Sequence, residues 1–594
     1  LNTGKAFLDT HYILIDPTQG EQLIAIPFYI DGASISQFHQ MEVVSIKIGL
    51  GIMTRDARKK EYLWTSLGYV EKVVQSGGRG ENITEEAFHL EHQDNTDTWM
   101  DDENPGEAMA GLGEHNAQDW HAMIACITRS FVALQKRGFM WDLVYKGVIY
   151  RNIHYKLFVP FIKCDNKEAD TICGKYQDRT KSQQLCRYCH ILTQRANDHR
   201  AKIDLKTVPE IQNLVNAGNI VGLKSISQIL LLNAFHHLIF SLGNDRGVHC
   251  ACPADMLHTI LLGLFKYLRE VFFQYLGPTS EGAKLIDALA KIYCRLFARK
   301  SDRSLPGTSF SNGIRGGGKM MAKEYRGILL IMLALFRSTK GREIINSYRE
   351  FKLETSKDDW ILLIELLLEW EAYLNEPRME VYQLRRLQEK HRYLMYLMRK
   401  IAKRSAGMGL KLLKFHLILH LSEDILQFGV PLEFDTAANE SHHKEAKKAA
   451  RLTQLDAASF QFQTATRMIE FHMLDLAMEE IKSGRKLWEY FDHAVEENNH
   501  GKEGSCVENT VQDDRIPGQR SDNSMGSSED SSVSMDCESE EAVRVQTGET
   551  GIVVWLDEET NTGMFCMRTR SKSAVGTTWN PDVVLYLIEL QSKI

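Results

Sequence analysis

The chain lacks any long uninterrupted run of apolar residues. Its longest apolar stretches are broken by polar groups, since Ile229–Leu242 contains two histidines and Trp360–Leu374 contains three glutamates. A membrane-spanning helix needs about 20 apolar residues with few charges, so neither stretch predicts a membrane span. A signal peptide is also missing from the start of the chain. We therefore expect a soluble protein.

Cysteine is scarce for a chain of this size. The 594 residues include 11 cysteines, unevenly spaced. Small secreted domains instead carry dense, regular cysteine patterns, so the sequence does not predict a disulfide framework. We expect a reducing compartment. With 43% hydrophobic and 25% charged residues, the chain can bury a large core and should form two or more domains.

An excess of positive charge is absent too, because the net charge is −7. The charge is uneven along the chain. Residues 503–541 hold eleven acidic side chains against two arginines and contribute −9, which leaves +2 for the rest of the sequence. A surface that binds DNA would therefore have to be a local patch of lysine and arginine.

Three carboxylates stand out against this background. Asp31 follows the apolar run Leu23–Ile30, and Asp165 follows the apolar run Leu157–Cys164. Glu440 begins a segment with helical character. Mg²⁺ takes oxygen ligands, and a two-metal centre needs carboxylates that hold ions roughly 3.5–4 Å apart on a phosphodiester. Two acids at strand ends and one on a helix therefore predict a metal-bound nuclease site.

Each acid also has a structural interpretation. An aspartate after a strand is often a turn former, and a glutamate in the first turn of a helix is favoured by the helix dipole. Asp170 and Asp178 compete with Asp165 for the second position, although only Asp165 ends the apolar run. The rivals of Glu440 are Glu433 and Asp435.

A set of short segments, in their order along residues 20–475, resembles the DDE transposases of eukaryotic CACTA and Plavaka elements. The segments are Phe28-Tyr29-Ile30-Asp31-Gly32-Ala33, Asp165 with Cys173-Gly174 and Cys186-Arg187-Tyr188-Cys189, Pro253-Ala254-Asp255-Met256-Leu257-His258 with Gly263-Leu264-Phe265-Lys266, Lys414-Phe415-His416, Phe428-Gly429-Val430-Pro431, and Glu440-Ser441-His442-His443-Lys444.

This resemblance implies an α/β (α+β) fold: an RNase H-like mixed sheet flanked by helices and interrupted by a large all-helical insertion. It implies that Asp31, Asp165 and Glu440 bind Mg²⁺ or Mn²⁺ and that the enzyme nicks DNA and transfers strands between transposon ends and target. It further implies a nuclear protein that forms a homo-oligomer on DNA.

Two other functions stay open. The first is an inactive or domesticated DNA-binding protein that keeps the fold without turnover. The second is a zinc-stabilised helical scaffold with no nucleic-acid role, which would lack a convergent acid cluster. Because the first residue is Leu1, we expect a fragment that has lost any N-terminal DNA-binding module.

The pair Cys186-x-x-Cys189 is half of a tetrahedral zinc site. We assign Cys173 and His199 as its partners and expect a structural role that pins the helical insertion to the core. The remaining candidates are His190, His249, Cys250 and Cys252. His416 and His420 share a helix face, but with no third ligand evident beside them the sequence favours a packed, hydrogen-bonded pair.

The segment after Glu440 predicts a DNA-binding surface. Its basic residues recur at three- and four-residue steps, so they share one side of a helix: Lys444, Lys447, Lys448 and Arg451. Their alternative is a solvated helix face. His442 and His443, which precede these residues, either contact DNA or only pack against the rest of the protein.

The predicted organisation has five parts. Residues 1–200 are the first part of the catalytic core, 201–410 the helical insertion, 411–500 the last strand and catalytic helix, 501–545 a disordered acidic linker, and 546–594 a small β-containing piece. Strands are predicted at 22–30, 43–50, 62–73, 148–150, 157–164 and 428–434, and helices at 117–138, 225–242, 254–275, 283–300, 325–338, 358–374, 378–404 and 437–452.

Overall fold

The structure is a computed structural model that describes part of the chain. The described residues are 4–36, 41–60, 63–72, 107–145, 148–176, 182–297, 313–315, 322–348, 351, 357–440, 443–454, 460–483, 544–547, 550–557, 562–568 and 574–579. The chain divides into two units, one of Leu1–Ala457 with Pro581–Ile594 and one of Ala458–Asn580. The predicted acidic linker lies outside the described residues up to residue 543.

The described part of the first unit contains seven strands. They are β1 (Gln22–Ala25), β2 (Phe28–Ser36), β3 (Met41–Gly49), β4 (Trp64–Lys72), β5 (Phe139–Tyr145), β6 (Val148–Phe158) and β7 (Ile162–Lys163).

Two mixed sheets are built from these strands. One has the order β4-β3-β2-β7 and the other the order β1-β6-β5. β2, β3 and β4 pair antiparallel, as the sequence predicts. β1 pairs parallel with β6, and β2 pairs parallel with β7. β1 leads into β2, and β6 leads into β7. The segment β1–β2 therefore runs parallel to the segment β6–β7 in both sheets.

Helices make up most of the rest of the first unit, so the fold is mixed α/β. They are α1 (Lys5–Leu14), α2 (Arg55–Arg58), α3 (Glu107–Arg137), α4 (Asn166–Ile172), α5 (Val208–Asn216), α6 (Ile220–Ser225), α7 (Lys266–Leu276), α8 (Glu281–Phe297), α9 (Ala322–Arg337), α10 (Thr339–Asn346), α11 (Lys357–Leu374), α12 (Val381–Ile401), α13 (Leu413–His416), α14 (Leu421–Phe428), α15 (Ala437–Glu440) and α16 (His443–Arg451).

The helical region between the second and third acids packs around aromatic side chains. Phe272, Phe336 and Trp360 are fully buried, and the Phe336 ring stacks on Trp360 with 5.6 Å between centroids. Aromatic pairs of this kind add about 0.5–1.5 kcal/mol beyond the area that they bury. The long amphipathic segments predicted here are therefore helices because their apolar faces meet in one core.

One predicted helix in this region is wrong. Residues 225–242 hold only a short 3₁₀ turn, Ala234–His237. Ser227 has a φ of 58°, in the left-handed region, which interrupts a right-handed helix. Gln228 instead forms a β-bridge with Lys175. The segment is apolar because Phe235 and its neighbours are buried, and burial alone does not specify a helix.

The predicted strand at 428–434 is also wrong. Phe428 ends α14, Gly429 follows with a φ of 93°, and Pro431–Glu433 forms a 3₁₀ turn. Phe428 and Phe434 pack their rings against Phe161 at 5.7 and 6.3 Å between centroids. This core contact explains why the segment is apolar. β6 pairs with β5 as well as with β1, and β5 is a strand that the sequence did not predict.

Residues Leu257–Phe265 form a π-helix, which continues directly into α7. π-helical segments are rare and frequently lie at functional sites.

The second unit holds α17 (Phe460–Ser483) and an antiparallel sheet, and its strands are β8 (Arg544–Thr547), β9 (Thr550–Asp557), β10 (Thr562–Arg568) and β11 (Ala574–Trp579). Among the described helices, none combines the length and apolarity required to cross a membrane.

Candidate metal centres

The sheet brings chain positions 31 and 165 to the same end. Phe28 and Tyr29 on β2 lie opposite Ile162 and Lys163 on β7 in parallel register. Asp31 and Asp165 each follow two residues later on neighbouring chain segments. The sequence predicts that Asp31 lies at the end of its strand. In the structure β2 continues beyond it to Ser36. The apolar run ends there since the side chain of Asp31 faces a polar cluster.

That cluster contains Asp31, Glu440 and His443, whose ligand atoms all lie within 4.8 Å of one another. His443 Nε2 is 3.1 Å from Asp31 Oδ2 and 3.9 Å from Glu440 Oε2. The hydroxyl of Tyr29 donates to Asp31 Oδ2 at 2.9 Å and lies 3.0 Å from His443 Nε2. The structure thus brings together two of the three predicted acids with a histidine.

The electrostatics of the cluster are those of crowded, partly desolvated negative charge. Burial raises the pKa of Glu440, and the carboxylate of Asp31 raises it further. Burial and then the charges of Asp31, Glu440 and Asp165 hold the pKa of Tyr29 well above its usual value. A bound cation would relieve this repulsion.

A second acid–histidine pair holds Glu440 from the other side. Asp255 is buried and its Oδ2 accepts from Nδ1 of His258 at 2.6 Å. His258 Nε2 then lies 3.5 Å from Glu440 Oε1. Burial alone would lower the pKa of His258, but the hydrogen bond and charge of Asp255 raise it to about 9. The imidazolium therefore places a positive charge beside Glu440 at neutral pH.

Asp255 also fixes the backbone that leads to Glu440. Its Oδ1 accepts from the backbone N–H of Thr436 at 3.0 Å and from the Thr436 hydroxyl at 2.8 Å. The N–H of Glu440 in turn donates to the carbonyl of Thr436 at 2.9 Å. One carboxylate thus joins the π-helical segment to α15. In the sequence, Asp255 and His258 belong only to a segment of the family resemblance, and no role is predicted for them.

Asp165 is not part of the group of three ligands. Its Oδ1 accepts from the N–H of Glu168 at 2.7 Å, so Asp165 is the N-cap residue of α4. Its charge still acts on this region: burial lowers the pKa of His258, and the charge of Asp165 acts with Asp255 and Glu440 to raise it. The structure therefore places Asp165 beside the centre and gives it a structural task as well.

The rival acids are committed elsewhere in the described part of the chain. Asp170 pairs with Lys175 and Arg187. Glu433 pairs with Arg55 and Arg58. Burial, followed by the charge of Asp255, raises the pKa of Asp435 to about 7, and its carboxylate does not join the group of three. Asp178 lies outside the described residues.

A second cluster contains Cys186, Cys189, His416 and His420, all buried and all within 4.8 Å of one another. Cys186 Sγ lies 3.5 Å from His420 Nε2, and Cys189 Sγ lies 3.3 Å from His416 Nε2 and 3.4 Å from His420 Nε2. The two histidine Nε2 atoms are 3.1 Å apart.

These distances fit a zinc ion. With bonds of about 2.3 Å to sulfur and 2.0–2.1 Å to nitrogen, tetrahedral zinc sets sulfur and nitrogen ligands about 3.6 Å apart and two nitrogens about 3.3 Å apart. Burial raises the pKa of the Cys186 thiol, but the Cys189 thiol and the imidazoles of His420 and His416 outweigh burial and bring it well below its usual value. A thiolate is the form that binds metal.

The predicted zinc partners Cys173 and His199 lie outside this cluster. Cys173 ends α4, and its thiol donates to the carbonyl of Val248 at 3.8 Å. The ring of His199 packs on Tyr396 with 5.5 Å between centroids. The open alternatives also lie outside the cluster: His190, His249, Cys250 and Cys252.

His416 and His420 are a buried pair within hydrogen-bond distance, as predicted, but two cysteines that the sequence did not connect with them, Cys186 and Cys189, lie in the same group. His416 ends α13 and His420 precedes α14, with a 3₁₀ turn between them. This helical stretch turns both rings toward Cys186 and Cys189. The four-residue spacing of the histidines was visible in the sequence. The sequence did not show that the fold brings His416 to Cys189 across 227 residues.

The predicted basic patch lies on α16. Ala446, Ala449 and Ala450 are buried, and the basic residues are exposed: Lys444, Lys447, Lys448 and Arg451. Alanine on the inner side lets the helix pack closely, with α16 against β2. The exposed positive charges therefore follow directly after the acid cluster along the chain.

In comparisons with known proteins, no protein-family model matches this chain and no match was found among the curated proteins.

Proposed function

We propose that the first unit is a metal-dependent DNA-cleaving and strand-transferring enzyme of the DDE transposase kind. The observation that carries this proposal is the convergence of Asp31 from the sheet and Glu440 from a distant helix on one small cluster. Convergent carboxylates are costly unless something positive binds between them. The zinc-scaffold alternative lacks such a cluster, so the convergence argues against it.

The topology supports an RNase H-like core. Three antiparallel strands are followed by the long helix α3 and then by β6 and β7, which run parallel to the first strand segments. The chain departs from that pattern on the other side of β6, where β5 pairs antiparallel. In this proposal Asp31, Asp165 and Glu440 form the acid set, with Asp165 on the segment beside Asp31.

The donor set fits Mg²⁺ or Mn²⁺, which take carboxylate oxygens. When bound, a pair of such ions activates water and stabilises the attacking and leaving oxygens of a phosphodiester. The residues of the chain bind and orient: Tyr29 fixes Asp31 by a hydrogen bond, and His258 holds Glu440. The exposed lysines of α16 then offer phosphate contacts beside the cluster.

We further propose that Cys186, Cys189, His416 and His420 bind a structural zinc ion. Four protein ligands complete a tetrahedral shell and leave no open position for substrate. The ion would join the segment after α4 to the segment around α13 and α14, so the helical insertion is closed at its base. Nuclear location and assembly on DNA remain part of the same proposal.

The experiment compares nicking of supercoiled plasmid DNA in Mn²⁺ and Mg²⁺ by the full chain and its variants. Glu440→Gln removes the charge that holds an ion yet keeps the size of the side chain, so nicking and strand transfer should fall by about three orders of magnitude or more. DNA binding without metal should stay level or rise slightly, because a negative charge near phosphate is lost. Glu445→Gln on α16 is the matched control.

Asp165→Asn separates catalysis from capping. Asparagine caps a helix as well as aspartate does, so α4 and the fold should survive. Loss of nicking in this variant would therefore report a ligand and not a cap. Full nicking by Glu440→Gln would show that another acid takes the third position.

An inactive DNA-binding protein is the second candidate, and the capping role of Asp165 is the observation that favours it. It predicts salt-dependent DNA binding by the wild-type chain with no nicking in either metal.

A further inference from the structure

We propose that His443 is itself a metal ligand and that Asp31, Glu440 and His443 form a site selective for a divalent transition ion of the Mn²⁺ to Zn²⁺ class over Mg²⁺. This inference rests on the metal centre of the proposed function, but it concerns metal identity and not DNA chemistry. It assigns a role to a side chain outside the predicted acid set.

The spacing of the three ligand atoms supports coordination. Adjacent ligands of an octahedral ion with bonds of about 2.1 Å lie about 3.0 Å apart. His443 Nε2 and Asp31 Oδ2 are 3.1 Å apart, and His443 Nε2 and Glu440 Oε2 are 3.9 Å apart. The first distance already matches, and the second requires only a small rotation of the half-buried Glu440 side chain.

The order of residues along the chain supports it as well. Glu440 ends α15 and His443 begins α16, so a Glu-x-x-His pair points to one place. The same i, i+3 pair supplies two ligands from one helix in helical di-iron and di-manganese proteins. Asp31 adds the third ligand from β2, which packs against α16.

Tyr29 contacts two of the proposed ligands, Asp31 and His443. Its hydroxyl donates to Asp31 Oδ2 at 2.9 Å, and its ring lies 6.2 Å from the His443 ring. Tyr29 is fully buried, and its hydroxyl also lies 3.0 Å from His443 Nε2, so it fixes the positions of both ligands. Hydrogen bonds that orient ligands in this way typically change metal affinity by about 10–100-fold.

The imidazole sets the metal preference. Nitrogen ligands raise affinity along the series from Mn²⁺ to Zn²⁺, whereas Mg²⁺ prefers oxygen ligands and keeps several waters. A site of carboxylates alone would show a weaker bias. His443 therefore predicts that Mn²⁺ binds this centre in preference to Mg²⁺.

The test uses Mn²⁺ as the probe on the full chain without DNA. Pulsed EPR of one equivalent of bound Mn²⁺ should show coupling to a ¹⁴N nucleus, and His443→Asn should abolish that coupling while weakening Mn²⁺ binding by about 10–100-fold. Mg²⁺ affinity should change by less than about threefold, because Mg²⁺ draws little from an imidazole. Glu445→Gln serves as the control on the same helix.

Each outcome decides between the two proposals. If Asp31→Asn and Glu440→Gln abolish Mn²⁺ binding while His443→Asn leaves affinity and spectrum unchanged, the metal centre stands and the role of His443 falls. If none of the three changes matters, both proposals fail. Coupling that persists in His443→Asn would assign the nitrogen to another imidazole, such as His258 beside Glu440, and would overturn the role of His443. If His443→Asn does not fold, the wild-type spectrum decides, since a spectrum without ¹⁴N coupling overturns the inference.

Discussion

Replacement of one ligand in the cysteine–histidine cluster should remove zinc and much of the stability of the first unit. Cys189→Ser keeps the size of the side chain but provides no thiolate. The four ligands are at most 4% exposed, so their polar atoms cannot turn to water. His416 Nδ1 already lacks a hydrogen-bond partner among the described residues. Without the ion, the site leaves two thiols and two imidazoles buried with poor partners.

The magnitude follows from the chemistry of the site. Structural zinc sites contribute about 10–16 kcal/mol of apparent binding free energy in small domains that fold only with metal. The first unit also has a large apolar core of its own, so only part of that energy appears as stability. We expect a loss of at least about 4 kcal/mol in the free energy of unfolding, the range that marks the loss of a bound metal.

The assay is elemental analysis of purified protein together with urea unfolding, with and without a chelator. The wild-type chain should hold one zinc ion, and a chelator should lower its unfolding midpoint to that of Cys189→Ser. His420→Asn should behave like Cys189→Ser. Cys173→Ser and His199→Asn are matched controls, because they replace the same residue types outside the cluster and should retain zinc.

Two results would refute the reasoning. A wild-type chain that holds no zinc and is insensitive to chelation would remove the site. Loss of zinc from Cys173→Ser with retention by His420→Asn would restore the ligand set that the sequence predicted and would contradict the observed geometry.

Two further predictions concern charge. Lys447→Ala combined with Lys448→Ala should flatten the log–log salt dependence of DNA binding by one to two units, at about 0.9 per phosphate contact, whereas Lys284→Ala on α8 should leave the slope unchanged; an equal slope in the double variant would place the DNA elsewhere. Asp424 is buried, which raises its pKa to about 7 although its carboxylate accepts from the N–H of Ala254. Its neutral form is favoured in the fold, so stability from this group is present below about pH 4 and is lost as pH rises to 7. Asp424→Asn should remove that loss, at most about 4 kcal/mol at 1.36 kcal/mol per pKa unit, and equal unfolding midpoints for both proteins at pH 5 and pH 8 would contradict this.

The antiparallel strands could be predicted from the sequence because their signal is local. β2, β3 and β4 are rich in isoleucine, valine and tyrosine, and turns or polar residues separate them. Their pairing needs only neighbouring strands in the chain. The acid that follows the apolar residues of β2 was visible for the same reason: a charged side chain after a buried run needs either water or a partner.

The wrong predictions arose where apolar residues are buried for tertiary reasons. Residues 428–434 carry Phe428 and Phe434 because both rings pack on Phe161, and the segment does not pair as a strand. Gly429, with its φ of 93°, was the local sign that regular structure stops there. The apolar content of residues 428–434 favours a strand, whereas Gly429 indicates that regular structure ends there. The glycine gave the correct prediction.

The two metal clusters show what a single sequence contains and what only the fold supplies. Each cluster is made of two short pieces, Cys186-x-x-Cys189 with His416-x-x-x-His420, and Asp31 with Glu440-x-x-His443. Three of the four pieces have the spacing of a ligand pair on their own, because helical and turn geometry fixes neighbours three or four residues apart, and Asp31 is a single residue. The partner of each piece lies more than 220 residues away, and a spacing carries no information at that distance. A lone ligand pair in a sequence is therefore best tested against every other lone pair in the same chain, since a buried pair of histidines needs a partner and a pair of cysteines supplies one.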